Sequence, residues 1–468
     1  MSEWRRTAAI WAVLTAIAAG GAAEAQQGAA RAPVPRTDLT GPALEFDFPS
    51  LHIGFAEYDE GPTGTTVFHF PQGASAVVDV RGGAPGTIFS DYLQLGYPST
   101  YVDAIVFSGG SSYGLAAATG VSLELRDRYC REGSTRIATV PGAIVLDIYP
   151  RRYSNVSPDE ALGRAALRAA RPGRFLQGAR GAGRFTMQGA YFGDFHYRQH
   201  SGQGGAFAQV GDVKVAVFTI ANPLGVVVDR QGNVVRCSND PAARPCGPAS
   251  QYIADALQRR TRYRRAMAAA GTLEDEEYGP SQNTTLTLVV TNQRLDYWAL
   301  KRLAAQVHVS MARAIQPFHT ERDGDVLFAV STQEVEDRTL TPVDLGVIAS
   351  ELAWDAVLAS VPPLPPVPTT TAQLDERALD AFVGEYEFAP RSRMQILREG
   401  NRLFAVAQER PIYSFARGER FELFPVSATE FVSRNPRGDR IQFTQAGRQV
   451  TGLVLNPGPW PIPATRVR

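Results

Sequence analysis

Apolar and polar positions along this chain follow two styles that change near residue 360. Before that point, apolar runs of strand length are interleaved with longer stretches at helical spacing. Residues 75–80, 103–107 and 213–221 read as buried strands, and 285–291 alternates well enough to be a central one. Helices are expected over 115–129, 158–170 and 296–315. In the last, Trp298, Leu303, Val307, Met311 and Ile315 are read as one apolar face, and Pro317 as its stop. Mixed segments of this kind predict an α/β (α+β) layer architecture.

A stiff, extended linker follows, Val361-Pro-Pro-Leu-Pro-Pro-Val-Pro368 and then three threonines. Beyond it the pattern shortens to strands at 394–397, 402–406, 412–415, 421–424, 430–433, 440–443 and 450–455. Turn residues such as Glu399-Gly400-Asn401, Arg417-Gly418 and Ala446-Gly447 separate them. This spacing predicts a small all-β, barrel-like domain over 373–468, joined through a linker at 361–372 to a main domain over 44–360.

The first residues have a different logic. Arg5 and Arg6 precede an apolar stretch over 8–19, and Ala23-Glu24-Ala25 supplies a small-x-small site before Gln26. That is the layout of a secretory signal peptide over 1–25, and the run is too short to span a bilayer. A Pro/Ala-rich, flexible lead-in over 26–43 would follow, and the mature protein is expected in the periplasm or secreted. In such a compartment Cys237 and Cys246, which bracket a short loop, could close as a disulfide. Cys130 is left over at a helix end and reads as structural. Basic and acidic residues balance at 47 each, so neither nucleic acid nor an anionic membrane is expected as a partner. Lys214 and Lys301 are the only lysines. Every other cation is Arg, which stays charged and cannot serve as a proton-transfer base. No Cys/His cluster has metal-ligand spacing, so no metal and no cofactor are expected.

Three stretches could carry chemistry. Asn283-Thr284-Thr285 stands at the entry to the expected strand; by itself it is an ordinary turn-to-strand transition. It also offers a route to autoproteolysis, in which the Thr284 hydroxyl attacks the Asn283 carbonyl and the ester hydrolyses. The product would hold a nucleophilic hydroxyl beside an α-amine whose ordinary pKa, roughly 7.7–8.0, suits a base near neutral pH. Downstream, His319-Thr-Glu-Arg-Asp323-Gly-Asp325 places two carboxylates two residues apart, able to reach one point if the chain is extended. Read blandly, it is a solvated turn. The third stretch, Ser108-Gly109-Gly110-Ser111-Ser112-Tyr113-Gly114-Leu115, is a Gly-rich turn opening a helix, where backbone amides can approach a ligand. It lacks the spacing of a dinucleotide or phosphate loop and of a Gly-x-Ser-x-Gly elbow.

In order, these pieces resemble the self-cleaving L-aminopeptidase/D-esterase (DmpA-like) family, which includes β-peptidyl aminopeptidases and nylon-oligomer hydrolases. The resemblance is carried by Gly61-Pro-Thr-Gly-Thr-Thr, Val80-Arg-Gly-Gly-Ala-Pro-Gly86, residues 102–115, Val140-Pro-Gly-Ala-Ile-Val-Leu-Asp147, Ile220-Ala-Asn222, Asn283-Thr284-Thr285 and residues 308–328. It implies a four-layer αββα sandwich, cleavage between Asn283 and Thr284, and a homo-oligomer of two-chain protomers acting on short peptides, amides or amide oligomers. It further implies Thr284 as nucleophile and amine base, Asn222 as oxyanion donor, and Asp323 and Asp325 polarising Thr284. Tyr149 and Tyr113, with Gly110, Ser111 and Gln203, would line the substrate pocket. The Thr nucleophile with Asp-Gly-Asp is closest to the nylon-oligomer branch. The family's usual Lys-Gly-Gly run is met here by Gln203-Gly204-Gly205, which supplies no positive charge. That departure sustains an alternative, a non-catalytic periplasmic ligand- or peptide-binding relative. The run Leu379-Asp-Ala-Phe-Val-Gly-Glu-Tyr386 resembles the lipocalin-like β-domain appended to some β-lactamase-like hydrolases, which implies an accessory role.

Overall fold

One strand organises the larger part of the molecule. Thr63–Val80 runs for 18 residues, well beyond the usual strand, and its two halves serve different neighbours. Its first half pairs antiparallel with His52–Tyr58 on one side and with Tyr101–Ser108 on the other. Its second half, from Ser75 to Val80, pairs with Val326–Val335. Between them the register against Tyr101–Ser108 breaks, from His69 to Ala74. Gly73 sits in that break at φ 72, and a Cβ there would overlap the Tyr101 ring, so only glycine lets the strand turn. The computed structural model describes residues 32–94, 100–148, 155–192, 198–238, 245–271, 283–337, 339–364, 372–410, 412, 415–435 and 438–467.

Among the described residues a ten-stranded sheet passes through this strand. One wing runs Gln203–Val210, Val213–Asn222, Thr284–Gln293, Val326–Val335; the other holds His52–Tyr58, Tyr101–Ser108 and Gly142–Ile144. Alternate side chains then fall into three layers. Phe68, Ile105 and Phe107 of one wing pack against Phe218, Ile220, Leu286, Leu288 and Phe328 of the other. The opposite parity of the first wing (Val77, Val217, Val289, Leu327) packs on helices Tyr297–Ser310 and Pro342–Ala359. The opposite parity of the second (Val67, Ala104, Val106) packs on Ala116–Arg131 and Glu160–Ala169. The result is the four-layer αββα sandwich.

The carboxy-terminal strands, from Gly384–Ala389 to Ile462–Arg466, close an eight-stranded antiparallel barrel around its own core, including Tyr386, Phe415, Phe431 and Phe443. The chain falls into two compact units, Met1–Val34 and Pro35–Arg468. Only residues 32–34 of the first unit are described. The signal-peptide reading therefore lies outside the described residues, as does most of the Pro-rich linker. Among the described residues no helix is long and apolar enough to cross a membrane.

Several expectations need correction. The helix expected to reach 315 ends at Ser310; a 3-10 turn follows and Ile315–Gln316 pairs with Val226–Val227. Trp298 is 74% exposed, because it lies five positions from Leu303, about 140° round the helix. Ile412 and Phe415 form an isolated bridge, and the residues between them lie outside the described residues. Pattern reading missed the helix Ala249–Ala269, which is polar almost all round, and Pro342–Ala359, whose start is set by a Thr341/Asp344 capping box. Arg36, within the expected flexible lead-in, exchanges both backbone hydrogen bonds with Glu57. The expected pairing of Cys237 with Cys246 holds, since the two are disulfide-bonded, while Cys130 is exposed.

Candidate functional site

Thr284 is the first residue of a strand buried along its whole length. It lies opposite Asn222 in the antiparallel ladder, and Val326–Val335 runs parallel on the other side. Thr284 shares parity with Leu286 and Leu288, and Asn222 with Ile220, so both point into the end of the inter-sheet layer. The preceding residue, Asn283, is 5% exposed and bridges to Asp323. Its carbonyl accepts hydrogen bonds from Gly324 N–H at 2.9 Å and from the Thr284 hydroxyl at 2.5 Å. Position 324 has to be glycine: a Cβ there would stand 2.6 Å from Thr284 Oγ1 and 2.7 Å from the Ala84 carbonyl.

The Asp-Gly-Asp turn straddles this bond. Asp323 Oδ1 accepts from Leu224 N–H at 3.0 Å, and its Oδ2 accepts from the Thr320 hydroxyl at 2.6 Å and amide at 3.2 Å. Asp325 Oδ1 accepts from Thr285 N–H at 2.7 Å, and its Oδ2 from His319, backbone and Nδ1, both at 3.1 Å. The two carboxylates therefore clamp the backbone on either side of the Asn222–Thr284 pair, while the Thr284 hydroxyl turns to Asn283. Burial, and then the Asp325 charge, push Asp323 up to about 6. The Arg81-Gly-Gly-Ala84 stretch holds the turn from behind: Arg81 and Gly82 amides donate to the Asp325 carbonyl, and Ala84 to that of Asp323. A Cβ on Gly82 would meet Asp325 N at 2.2 Å.

Two histidines that the motif reading did not single out as functional extend this cluster. His319 adopts a left-handed φ of 56 and packs edge-on against the buried His308 ring at 4.3 Å. His308 Nδ1 lies 2.9 Å from Asp79 Oδ2. Burial lowers the His308 pKa and would raise that of Asp79, but hydrogen bonds from His308 and Arg81 outweigh it and hold Asp79 at about 2. A sequence signal existed only in the shared segment, since each histidine gains its carboxylate from a distant stretch or a reversed turn.

Asn222 connects the remaining elements. Its Oδ1 accepts from Met187 N–H at 2.9 Å and its Nδ2 donates to the Leu146 carbonyl at 3.2 Å. The next residue, Asp147, is fully buried and accepts from Thr63 Oγ1 at 2.6 Å and from Gly110 N–H at 2.7 Å. Ser111 N–H donates to Val145. The Gly-rich turn is thus brought beside the Asn222 end of the sheet, with Gly110 and Ser111 both at positive φ, 82 and 56. Tyr113 on this turn is 71% exposed. Tyr149 lies outside the described residues. Gln203 is buried further in, opposite Ile220; its amide accepts from the Thr66 hydroxyl at 2.8 Å and donates to the Leu176 carbonyl at 2.6 Å. Lys214, at the far end of the Asn222 strand, pairs with Asp47.

A cavity of about 380 Å³ adjoins the clamp, lined by Tyr191, Leu224, Arg260, Pro317, Thr320 and Arg322 among others. Leu224 and Thr320 are the groups that hold Asp323, so the cavity wall and the carboxylate are one structure. Among the described residues no cluster of His, Cys, Asp and Glu is arranged to hold a metal ion.

The profile described as Peptidase family S58 matches residues 46–382. The 6-aminohexanoate-oligomer endohydrolase of Paenarthrobacter ureafaciens is 43% identical over 330 residues, 67% of this chain and 85% of that protein. An uncharacterized aminopeptidase of Mycobacterium tuberculosis (strain ATCC 25618 / H37Rv) is 33% identical over 291 residues, 61% of this chain and 77% of that one. Among solved structures, a Burkholderia sp. beta-aminopeptidase aligns at 16% identity with a TM-score of 0.47, covering 69% of this chain and 88% of that one.

Proposed function

Since the chain belongs to peptidase family S58 and is an amide-bond hydrolase, we propose that it is an exported N-terminal-nucleophile enzyme that cleaves itself between Asn283 and Thr284. The supporting observation is the buried Asn283–Thr284 bond, with the Thr284 hydroxyl 2.5 Å from the Asn283 carbonyl oxygen and the flanking backbone clamped by Asp323 and Asp325. Attack by Oγ1 on that carbonyl carbon shifts the acyl group from nitrogen to oxygen. Water then hydrolyses the ester, leaving a carboxylate on Asn283 and an α-amine on Thr284.

The same groups run turnover. The α-amine takes the proton from Thr284 Oγ1 as the hydroxyl attacks a substrate amide, and the departing amine carries a proton away. Asn222, opposite in the ladder, donates its side-chain N–H to the oxyanion. Asp325 keeps the Thr285 amide in place, and Asp323, poised near 6, holds or releases a proton beside it. Water releases the acyl group from the threonine ester. Substrates are short peptides, amides or amide oligomers, in keeping with a relative named for 6-aminohexanoate oligomers, and the working form is a homo-oligomer of two-chain protomers in the periplasm or outside the cell.

Intact mass spectrometry of the purified protein, beside its Thr284→Ala variant, tests this reading. Fragments corresponding to 26–283 and 284–468 are expected from the wild type and one inactive chain from the variant. A wild type that stays whole and hydrolyses nothing would transfer the reading to a ligand-binding relative.

A further inference from the structure

The barrel sends one side chain back into the sandwich. Trp460 precedes the last barrel strand, is 5% exposed, and packs outside the barrel core with Ala179 and Phe185. Its indole lies flat on the His200 ring, with centroids 4.4 Å apart and planes 9° from parallel. Both sides of this stack are tied down. The Pro459 carbonyl accepts from the buried guanidinium of Arg184, which is ion-paired with Glu57 at 3.1 Å. Arg236 donates to the His200 carbonyl at 2.8 Å and to the Pro362 carbonyl, and lies 5.9 Å from the Trp460 ring.

His200 belongs to a two-residue strand that pairs with Met187–Gln188, His200 opposite Met187. Met187 N–H is the donor that holds Asn222 Oδ1. One stack, one ladder pair and one hydrogen bond therefore separate Trp460 from the Asn222 amide. Such an amide turns about a broad, roughly two-fold torsion, so the donor at Oδ1 decides which way the N–H points. A ladder of two residues does not hold its own geometry in water, and needs a body packed on it. Phe185, within the family match, packs edge-on against His200 at 5.2 Å, but the flat face of that body, Trp460, comes from beyond the match, which ends at residue 382, before the first barrel strand.

We propose that Trp460 is a positioning residue: by stacking on His200 it fixes the Met187 amide and so aims the Asn222 side chain at the reacting carbonyl. The barrel is thereby part of the support of the active site. This rests on the oxyanion role given to Asn222 above.

The test uses the full chain, as Trp460→Ala and Trp460→Phe, with hydrogen exchange of the 185–189 peptide and steady-state kinetics on an aminoacyl anilide. Trp460→Ala should speed exchange at Met187 about tenfold or more and lower kcat about tenfold or more with KM within about twofold. Trp460→Phe, which keeps a flat ring over His200, should retain both properties. Unchanged Met187 exchange or unchanged kcat in Trp460→Ala overturns the inference, as does an equal loss in Trp460→Phe. A wild type without hydrolase activity would fail the reading above on its own, and the exchange measurement would still decide whether Trp460 holds Met187.

Discussion

Asn222 faces Thr284 directly across the antiparallel ladder, and both side chains point into the same inter-sheet layer. Opposed residues in such a ladder have Cα atoms about 4.5–5.5 Å apart. In the proposed reading, a donor amide and a nucleophile are thus held near one carbonyl by backbone hydrogen bonds instead of by a loop. The carboxylates of Asp323 and Asp325 secure the two chain segments that carry them.

Asn222→Ala removes the amide and leaves the ladder. Its kcat is expected to fall about 10²–10³-fold, the usual effect of losing one oxyanion donor, with KM little changed. Steady-state kinetics on a folded, processed variant measure this, and a loss confined to KM would contradict the role.

Asp325→Ala leaves the buried amide of Thr285 and the half-buried amide of His319 without their acceptor. Each unsatisfied group costs about 1–3 kcal/mol, so urea unfolding should show a substantial loss of stability. Asp325→Asn keeps an acceptor oxygen and should lose less.

Asp323 has its pKa raised from 3.8 to about 6 by burial and by Asp325. The folded state therefore holds this proton more tightly than the unfolded chain does. The stability so gained is complete below the ordinary carboxylate value and is lost as pH rises through about 6. Relative to Asp323→Asn, the wild type should weaken between those limits; denaturation midpoints measured across the range check it, and parallel curves would refute it.

Gly324→Ala places a methyl 2.6 Å from the Thr284 hydroxyl oxygen and 2.7 Å from the Ala84 carbonyl, and backbone cannot yield cheaply there. The variant should fold less stably and stay a single chain on a denaturing gel. Normal processing would show that the turn has room the geometry denies.

Replacing both Cys237 and Cys246 with Ser opens a loop closed over a separation of nine residues. Loop-closure entropy predicts a loss of about 2–3 kcal/mol, readable as a lower unfolding midpoint that dithiothreitol reproduces in the wild type.

Much of this was legible in residue order. The parity of 285–291 and the turn-spaced strands after 394 follow from local periodicity, because a strand or helix buries one face and that face repeats. The Asn-Thr-Thr and Asp-Gly-Asp motifs were visible for the same local reason. What periodicity could not show is partnership. Nothing near Gln203 says that its amide is taken up by Thr66 and Leu176, 137 and 27 residues away. Nor does spacing put Asp79 on His308, or reveal that the two aspartates grip the Leu224 and Thr285 amides while the Thr284 hydroxyl bonds the Asn283 carbonyl.

By itself, then, the sequence determined which segments could be strands, where a nucleophile could be released and that a separate β-rich segment follows. Only the tertiary structure decided that Asn222 stands opposite Thr284, that glycines 82 and 324 let two backbones touch, and that a barrel tryptophan stacks against the strand holding Met187. The division has a physical cause. Local pattern reports the burial of each element's own face, whereas ladder register, buried hydrogen bonds and stacked rings depend on groups from separate elements meeting in one place.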